Sequence, residues 1–391
     1  MATVIVTGSR APVALDFIRA LKREGHRVIA VESANPFVAE TSNCVDRVYH
    51  VPSPRFKRQE FVSSLIKIIR DEKVDLLVPT CEEIFHIGES LDELRPHVEV
   101  FCEPTEKLNL LHNKFKFTKT CEEMGLTVPK SVVITSLSEL NQALASIPGD
   151  RIVLKPEYSR FAAKTLVIAK SDIGEHLKDI TPSQTQKWVV QQCVVGHEVC
   201  SYSVAFKGKV LASVIYHHEF TAGQGAGVSF ETIRFKAIDQ WITTLSEKMN
   251  FTGQLAFDFI IDDSGIPYAI ECNPRMTSGA HLLSETKSFI DSIITKTATP
   301  SPFECAPVGY AAALKIPLLI HGLMKMKSLK QFFYWLRLMI FSKDAVFSAR
   351  DVRPTLTQFT MYWKFYKLSR ERKIKDSEAI TFDIEWNGNS A

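Results

Sequence analysis

The hydrophobic residues of the first hundred positions alternate between short continuous runs and runs at helical spacing. The continuous runs, which are typical of buried strands, cover residues 3–8, 27–31, 74–79 and 98–101. Between them, apolar residues three and four apart predict helices, one of which ends at Gly25 and another at Arg70. Strands that alternate with helices through short connections form parallel sheets. We therefore predict a doubly wound α/β domain over residues 1–104, with ligand sites in the loops after its strands.

The first of these loops, TGSRAP, is partly similar to a dinucleotide-binding loop. That fingerprint needs two further glycines after Gly8 and an acid such as Glu32 at the end of the next strand. The further glycines are missing from their places. We therefore predict a glycine-containing turn from strand to helix rather than a nicotinamide site.

A different pattern begins near residue 105. One helix is predicted from Asn109 to Met124, and strand-like runs then recur up to residue 216. The tetrapeptide Phe206-Lys-Gly-Lys209 is a turn sequence between two of these runs, which indicates an antiparallel hairpin. The chain is therefore expected to combine an α/β part with an α+β part that is rich in hairpins.

The clearest chemical signal lies in residues 253–275, GQLAFDFIIDDSGIPYAIECNPR. Two alternating runs flank an Asp-Asp-Ser-Gly turn, which predicts a β-hairpin. If Ile260 pairs with Ala269, then Asp258 lies opposite Glu271. Since alternate residues of a strand share a face, the side chain of Asn273 points the same way.

Two carboxylates that face each other across a ladder repel unless a cation lies between them. Carboxylate and amide oxygens suit Mg²⁺ or Mn²⁺, so we predict that Asp258, Glu271 and Asn273 are metal ligands. Two residues further on, Arg275 would supply a positive fork for phosphate or for a developing oxyanion. The alternative is a hairpin whose polar face is merely solvated, and the added E-x-N-P-R sequence favours the metal site.

Composition excludes several classes of protein. A length of 391 residues predicts two or three domains, and a formal net charge of +3 is too small to indicate binding of nucleic acid. The eight cysteines include no CxxC pair, which favours reduced thiols over disulfides. The N-terminus has a strand-like run instead of a signal peptide, and no run of 18 apolar residues occurs. We expect a cytoplasmic protein.

The hairpin resembles the magnesium-binding core of the ATP-grasp superfamily, which includes carboxylate–amine and carboxylate–thiol ligases and relatives of the carbamoyl-phosphate synthase and biotin carboxylase type. The matching motifs are GQLAFDF and AIECNPR. Further matches precede them in the family's order, and the resemblance covers about residues 1–300. It implies an ATP-grasp lid with its linker helix over 105–195 and an ATP-grasp core over 196–305. The change of composition near residue 305 indicates a C-terminal extension over 306–391.

The resemblance also implies roles for individual residues around ATP. Lys114 and Lys155 take the places of the two phosphate-binding lysines, and Glu198 takes the place of the acid that binds the ribose. The adenine edge is expected to lie along a hinge strand at Gln191, Gln192 and Val194. With Mg²⁺ or Mn²⁺ bound, such an enzyme activates a carboxylate as an acyl phosphate, which an amine then attacks. Arg275 and Lys155 are the residues expected to act in catalysis.

Two loops depart from the family's pattern. The loop after Lys155 normally carries glycines, whereas here it is EYSRFAA, so we expect Ser159 and Arg160 to contact phosphate through their side chains. A glycine-rich stretch occurs later, at residues 221–227. It is either a flexible hairpin loop or a mobile segment that closes over the substrate. The glycine-free loop favours one alternative function, a nucleotide-binding regulatory protein without turnover.

The substrate side is less well defined. Candidates are the acids Glu82 and Glu83, which either hold an amine or begin a helix, and residues 277–281, which are expected to face the substrate. For His217 and His218 a structural role is the better interpretation. The expected partners are a small carboxylate and a small amine.

The C-terminal extension is basic and aromatic. Residues 315–375 contain fourteen Lys or Arg and three Asp or Glu. We predict basic helices that pack on the core or form a homodimer. Contact with an anionic membrane is a less favoured alternative, as is a pocket for a lipophilic or acidic substrate.

Overall fold

The computed structural model describes residues 1–158, 164–222, 226–324, 326 and 328–388. Its first part contains strands β1 (Thr3–Thr7), β2 (Arg27–Glu32), β3 (Arg47–His50), β4 (Leu76–Val78) and β5 (Glu99–Val100). The helices around them are α1 (Pro12–Arg23), α2 (Arg58–Glu72), α3 (Glu83–Glu89) and α4 (Leu91–Leu94). All strand pairs are parallel, in the order β3-β2-β1-β4-β5. This is the predicted doubly wound sheet, and the chain reverses its direction of winding between β1 and β4.

The turn after β1 is built around a glycine for a steric reason. Gly8 has a φ of +66°, and a Cβ atom there would lie 2.8 Å from the Thr80 side chain and 2.7 Å from that of Glu83. The loop after β4 therefore approaches β1 too closely for any other residue. This packing explains the glycine of the TGSRAP turn without a bound nucleotide.

The second part begins with two helices and an antiparallel sheet. Its helices are α5 (Thr105–His112), α6 (Lys114–Glu123), α7 (Leu140–Ser146) and α8 (Ile173–His176), and its strands are β6 (Ser131–Ile134), β7 (Arg151–Pro156), β8 (Leu166–Ala169) and β9 (Trp188–Gln192). The strand order is β6-β9-β7-β8. The prediction of one continuous helix was wrong, because Asn113 leaves the helical conformation and its Oδ1 accepts hydrogen bonds from the backbone amides of Phe115 and Lys116. This cap places Lys114 at the first position of α6.

A seven-stranded sheet forms the largest layer. It contains β10 (Gly196–Phe206), β11 (Lys209–His217), β14 (Ser229–Ile233), β15 (Gly253–Asp262), β16 (Pro267–Asn273), β17 (Ala311–Ala313) and β18 (Lys343–Asp344), in the order β16-β15-β10-β11-β14-β17-β18. A separate two-stranded ladder joins β12 (Thr221–Ala222) to β13 (Ala226–Gly227). The helices that follow the strands of this region are α9 (Lys236–Met249), α10 (Gly279–Leu283) and α11 (Lys287–Ile294).

The last part is mainly helical. Its helices are α12 (Lys315–Met324), α13 (Leu329–Phe341), α14 (Arg353–Arg372) and α15 (Asp376–Ala379). Short 3-10 helices elsewhere are Val38–Thr41, Leu137–Glu139, Lys170–Asp172, Leu177–Asp179 and Pro302–Glu304. Among the described residues, none of the helices has both the length and the apolar character that a membrane crossing requires.

Residues 380–388, called here the 380–388 segment, run across the loops that follow β1, β2 and β3. Arg10, which is buried, donates hydrogen bonds to both carboxylate oxygens of Asp383, at 2.5 and 2.8 Å, and to Glu32 at 2.5 Å. Further along, Trp386 stacks on Phe85 with ring centroids 4.8 Å apart. The chain itself therefore covers the part of the edge formed by the loops after β1, β2 and β3.

The Arg10–Asp383 pair should contribute strongly to stability. Burial opposes the charge on Asp383, but the bonds from Arg10 outweigh it and hold the pKa of this carboxyl below its ordinary value. The contribution is therefore present at neutral pH and is lost as the pH falls through the lowered pKa.

We expect Asp383→Asn to lower the free energy of unfolding by about 3 kcal/mol, because a buried guanidinium loses one of its two charged partners. Chemical denaturation at neutral pH measures the change. The matched control is Asp71→Asn, which removes an exposed helical ion pair with Lys67 and should cost less than about 1 kcal/mol. Equal effects of the two substitutions would contradict this account of the 380–388 segment.

Candidate functional site

The hairpin formed by β15 and β16 brings the predicted metal ligands together. Asp258 lies directly opposite Glu271, as predicted, and Asn273 lies opposite Ala256 on the same face. All three polar residues are half-buried, so they line a cleft instead of a sealed interior. The other face packs into the core, where Phe257 stacks on Phe117 of α6. This packing fixes the start of α6 beside β16.

The predicted pairing of Ile260 with Ala269 was wrong by one residue. Phe259 pairs with Ala269 instead, since β16 contains one extra residue, Ile270, at a β-bulge next to Glu271. The bulge leaves the carboxylate pair intact and presents the carbonyl of Ile270 to the lid. Lys155 donates a hydrogen bond from Nζ to this carbonyl at 3.1 Å.

Two lysines from different elements converge on Glu271. Lys114 Nζ lies 3.5 Å from Glu271 Oε2, and both Lys114 and Lys155 are almost completely buried. Burial lowers the pKa of Lys155 to about 8, although Glu271 acts in the opposite direction. Two lysines in this position would otherwise repel each other, and the carboxylates of the hairpin compensate their charge.

The two carboxyl groups of the hairpin differ in their pKa values. Burial and the neighbouring Glu271 raise the pKa of Asp258 to about 7. Burial would also raise the pKa of Glu271, but Lys114 and Lys155 outweigh this effect and hold it below its ordinary value. The two carboxyl groups together resist full ionisation. With the amide of Asn273 they form a set of oxygen donors that suits a hard divalent cation.

Arg275 connects the hairpin to the first sheet. Its Nη2 donates to Asn273 Oδ1 at 3.2 Å, and its Nε lies 3.3 Å from Glu82 Oε1. Glu82 stands in the loop after β4 and is buried. The sequence indicated Glu82 as a residue near the substrate, but its pairing with Arg275 was not foreseen, because the two residues are far apart in sequence.

The neighbouring Glu83 has a different environment. Its Oε1 accepts hydrogen bonds from the Thr7 hydroxyl and from the backbone amides of Thr80 and Cys81. Burial, followed by repulsion from Glu32, raises the pKa of Glu83. Its carboxyl group therefore organises the loop after β4, and of the two acids Glu82 is the one next to Arg275.

The predicted hinge residues lie where the lid joins the core. Gln191 and Gln192 end β9, and both side chains have partners within the lid: Gln191 Nε2 donates to the Ser131 hydroxyl at 2.9 Å, and Gln192 Oε1 accepts from the Lys130 amide at 3.2 Å. Val194 follows in the connection to β10. Because both side chains have partners, an adenine base at this hinge would form hydrogen bonds with backbone groups.

Glu198 is exposed on β10, two residues before Cys200, which lies opposite Asp258. Residues two apart on a strand share a face and are about 7 Å apart. His218 Nε2 lies 3.9 Å from Glu198 Oε1, and His218 Nδ1 lies 3.8 Å from Cys200 Sγ. The predicted ribose-binding acid and the predicted metal ligand Asp258 therefore border one cleft.

Ser159 and Arg160 lie outside the described residues, as do residues 223–225 of the glycine-rich stretch. The start of the loop after Lys155 is described, and it is anchored to the linker helices. The amide of Lys114 donates to the carbonyl of Glu157 at 3.2 Å, and the hydroxyl of Tyr158 donates to Asn109 Oδ1 at 2.7 Å.

The prediction for residues 277–281 was wrong at its end. His281 is buried, and its Nδ1 lies 2.6 Å from Asp16 of α1, which also accepts a hydrogen bond from Lys343. A buried carboxylate needs such partners. His281 therefore joins α10 to α1 and does not face the cleft.

Metal binding by the predicted ligands can be tested directly. We expect Asp258→Asn to weaken the binding of Mn²⁺ at least about tenfold, since it removes one anionic ligand of the set. Calorimetric titration with Mn²⁺ measures the affinity. Asp263→Asn, in the exposed turn of the same hairpin, is the matched control and should leave the affinity unchanged. Unchanged binding in Asp258→Asn would contradict the assignment of the metal site.

Comparison with known proteins agrees with this geometry. Residues 111–279 match the family of ATP-grasp domains. A region of 242 residues is 26% identical to the multifunctional protein ura1 of Schizosaccharomyces pombe, covering 57% of this chain and 11% of that protein. The chain thus spans a small fraction of the length of this curated relative.

Two solved structures have a similar fold. The L-amino acid ligase of Bacillus licheniformis superposes with a TM-score of 0.61 at 15% identity, over 78% of this chain and 77% of the other. The N5-carboxyaminoimidazole synthetase of Staphylococcus aureus, solved with ADP, gives a TM-score of 0.61 at 15% identity, over 76% of this chain and 78% of the other. At this level of identity the similarity concerns the fold, and it confirms the predicted architecture.

Proposed function

We propose that the protein is an ATP-dependent ligase that joins a carboxylate to an amine, on the premise that residues 111–279 match the family of ATP-grasp domains. The observation that carries the proposal is the convergence of Asp258, Glu271 and Asn273 with two buried lysines. Binding of a polyphosphate requires oxygen donors for a divalent cation on one side and fixed positive charge on the other.

In this proposal the nucleotide lies between the lid and the core. Asp258, Glu271 and Asn273 would hold Mg²⁺ or Mn²⁺, which would supply positive charge to the transferred phosphoryl group. Lys114 and Lys155 approach the phosphates from the lid side. The adenine pairs with the backbone near Val194.

Three assignments around the nucleotide rest on the family pattern. Glu198 binds the ribose hydroxyls in this proposal, and its exposure at the cleft supports that role. Ser159 and Arg160 remain the predicted phosphate contacts of the loop that follows Lys155.

The proposed chemistry has two steps. The substrate carboxylate attacks the γ-phosphorus of ATP, so that an acyl phosphate forms and ADP leaves. The amine then attacks the acyl carbon, and the tetrahedral oxyanion collapses to an amide with release of phosphate and the amine proton. In this proposal Arg275 stabilises the oxyanion, and the ion pair of its guanidinium with Glu82 supports that role. The cleft must exclude water, because water would hydrolyse an acyl phosphate.

A second candidate is a nucleotide-binding regulatory protein without turnover. The observation in its favour is the loop EYSRFAA, which lacks the glycines whose amides normally surround a γ-phosphate. Such a protein would bind ATP and metal but release no ADP. The two candidates therefore differ in a single measurable product.

We expect ADP release when the protein is incubated with ATP, Mg²⁺ and a panel of paired carboxylates and amines. With a productive pair, Arg275→Ala should lower the rate about 100-fold or more, since it removes the main stabiliser of the oxyanion. The control is Arg47→Ala, an exposed arginine of the first sheet. Nucleotide binding without ADP release for any pair would favour the regulatory alternative, and full turnover in Arg275→Ala would contradict the proposed mechanism.

A further inference from the structure

Helices α12 and α13 form a helical hairpin whose inner face is well packed. The indole Nε1 of Trp335 donates to the carbonyl of Leu318 at 3.1 Å. Gly322 lies against the same indole, and a Cβ atom there would lie 2.7 Å from the ring. Leu338 is buried in the same cluster, together with Phe220 from the chain just before β12. The hairpin is therefore held firmly on the core.

The outer face of this hairpin is apolar and exposed. Its exposed side chains are Leu319 (45%), Ile320 (53%), Leu323 (48%), Met324 (80%), Leu329 (78%), Phe333 (65%), Leu336 (37%), Ile340 (58%) and Phe341 (80%). On each helix they recur at helical spacing, away from the residues that pack on the core. Isolated exposed apolar residues are ordinary, but a group of this size on two adjacent helices indicates a surface that binds something.

Among the described residues of the two helices, Lys315, Lys330 and Arg337 are basic and none is acidic. Residues 315–342 contain five Lys or Arg and no Asp or Glu. Two acidic side chains from elsewhere contact the hairpin: Glu231 pairs with Arg337, and Glu219 accepts a hydrogen bond from Gln331. Lys330 is exposed beside the apolar stripe of α13. The surface therefore combines an apolar centre with excess positive charge.

We propose that the α12–α13 hairpin docks on the surface of an anionic phospholipid membrane. Apolar side chains can enter the acyl boundary while lysines stay among the headgroups, and their charge is complementary to that of anionic lipid. A second copy of the chain fits less well, because a symmetric contact would bring the cations of both hairpins together. The hairpin rests on the surface and does not span it, since the 13 residues of α13 extend about 20 Å, less than the hydrocarbon thickness.

The hairpin also contacts the chain that leads into the glycine-rich stretch. The inner face of the hairpin contacts β12, which leads into the glycine-rich stretch beside His218. Docking therefore occurs on an element in contact with the start of this stretch, which the sequence indicates to be either a flexible hairpin loop or a segment that closes over the substrate. The inference goes beyond the proposed ligase activity and does not depend on it.

Vesicle co-sedimentation of the full chain tests the proposal. We expect the protein to pellet with vesicles of phosphatidylcholine that contain phosphatidylserine and to pellet much less with phosphatidylcholine alone. The double substitution Phe333→Gln and Phe341→Gln should lower the apparent affinity at least about tenfold, because it removes two large apolar contacts with the bilayer. Lys330→Glu should weaken binding to the anionic vesicles, with little effect on the small amount that binds phosphatidylcholine.

The matched control is Phe56→Gln, which changes a phenylalanine of similar exposure (58%) far from the hairpin in sequence and should leave binding unchanged. Thermal unfolding of each variant shows whether the fold is retained. Absence of pelleting with anionic vesicles would overturn the proposal. It would also be overturned if Trp363→Gln on α14 abolished binding while the α13 variant kept it, or if the α13 variant abolished self-association without any effect on lipid binding.

Discussion

The geometry of the cleft depends on one electrostatic constraint, the position of Glu271 between a like charge and two opposite charges. Asp258 faces it across the hairpin, and Lys114 and Lys155 approach it from the lid side. Neither the carboxylates nor the lysines would be stable there alone, because each pair is partly removed from water and carries like charge. Together they form a site with two regions of opposite sign, which the proposed function assigns to a metal ion and to the phosphates of ATP.

Much of this arrangement could be predicted from local pattern. The alternation in GQLAFDF and AIECNPR, with a strong turn between them, was sufficient to place Asp258 opposite Glu271. The parallel sheet followed equally well from short apolar runs separated by helical spacing. In both cases the prediction depended on residues that are close in sequence, where backbone geometry alone decides which side chains share a face.

Other features were not predictable, since they depend on contacts between distant residues or on local backbone irregularity. A bulge at Ile270 shifts the register by one residue and presents the carbonyl that Lys155 binds, yet the apolar pattern of the strand does not reveal it. Asn113 divides a helix that seemed continuous. The pairing of Glu82 with Arg275 and the burial of Arg10 by the 380–388 segment join residues that are far apart along the chain. For these contacts the sequence shows which residue types are present, but it does not show which of them pair.

In the proposed function, metal and nucleotide phosphates occupy the space between the hairpin carboxylates and the two lysines. A crystal structure with Mn²⁺ and a non-hydrolysable ATP analogue tests it most directly, because anomalous scattering locates the metal independently of the nucleotide. We expect one anomalous peak, coordinated by Asp258, Glu271 and Asn273. Lys114 and Lys155 should contact phosphate oxygens. A peak away from these three residues, or a nucleotide whose phosphates lie outside the cleft, would contradict it.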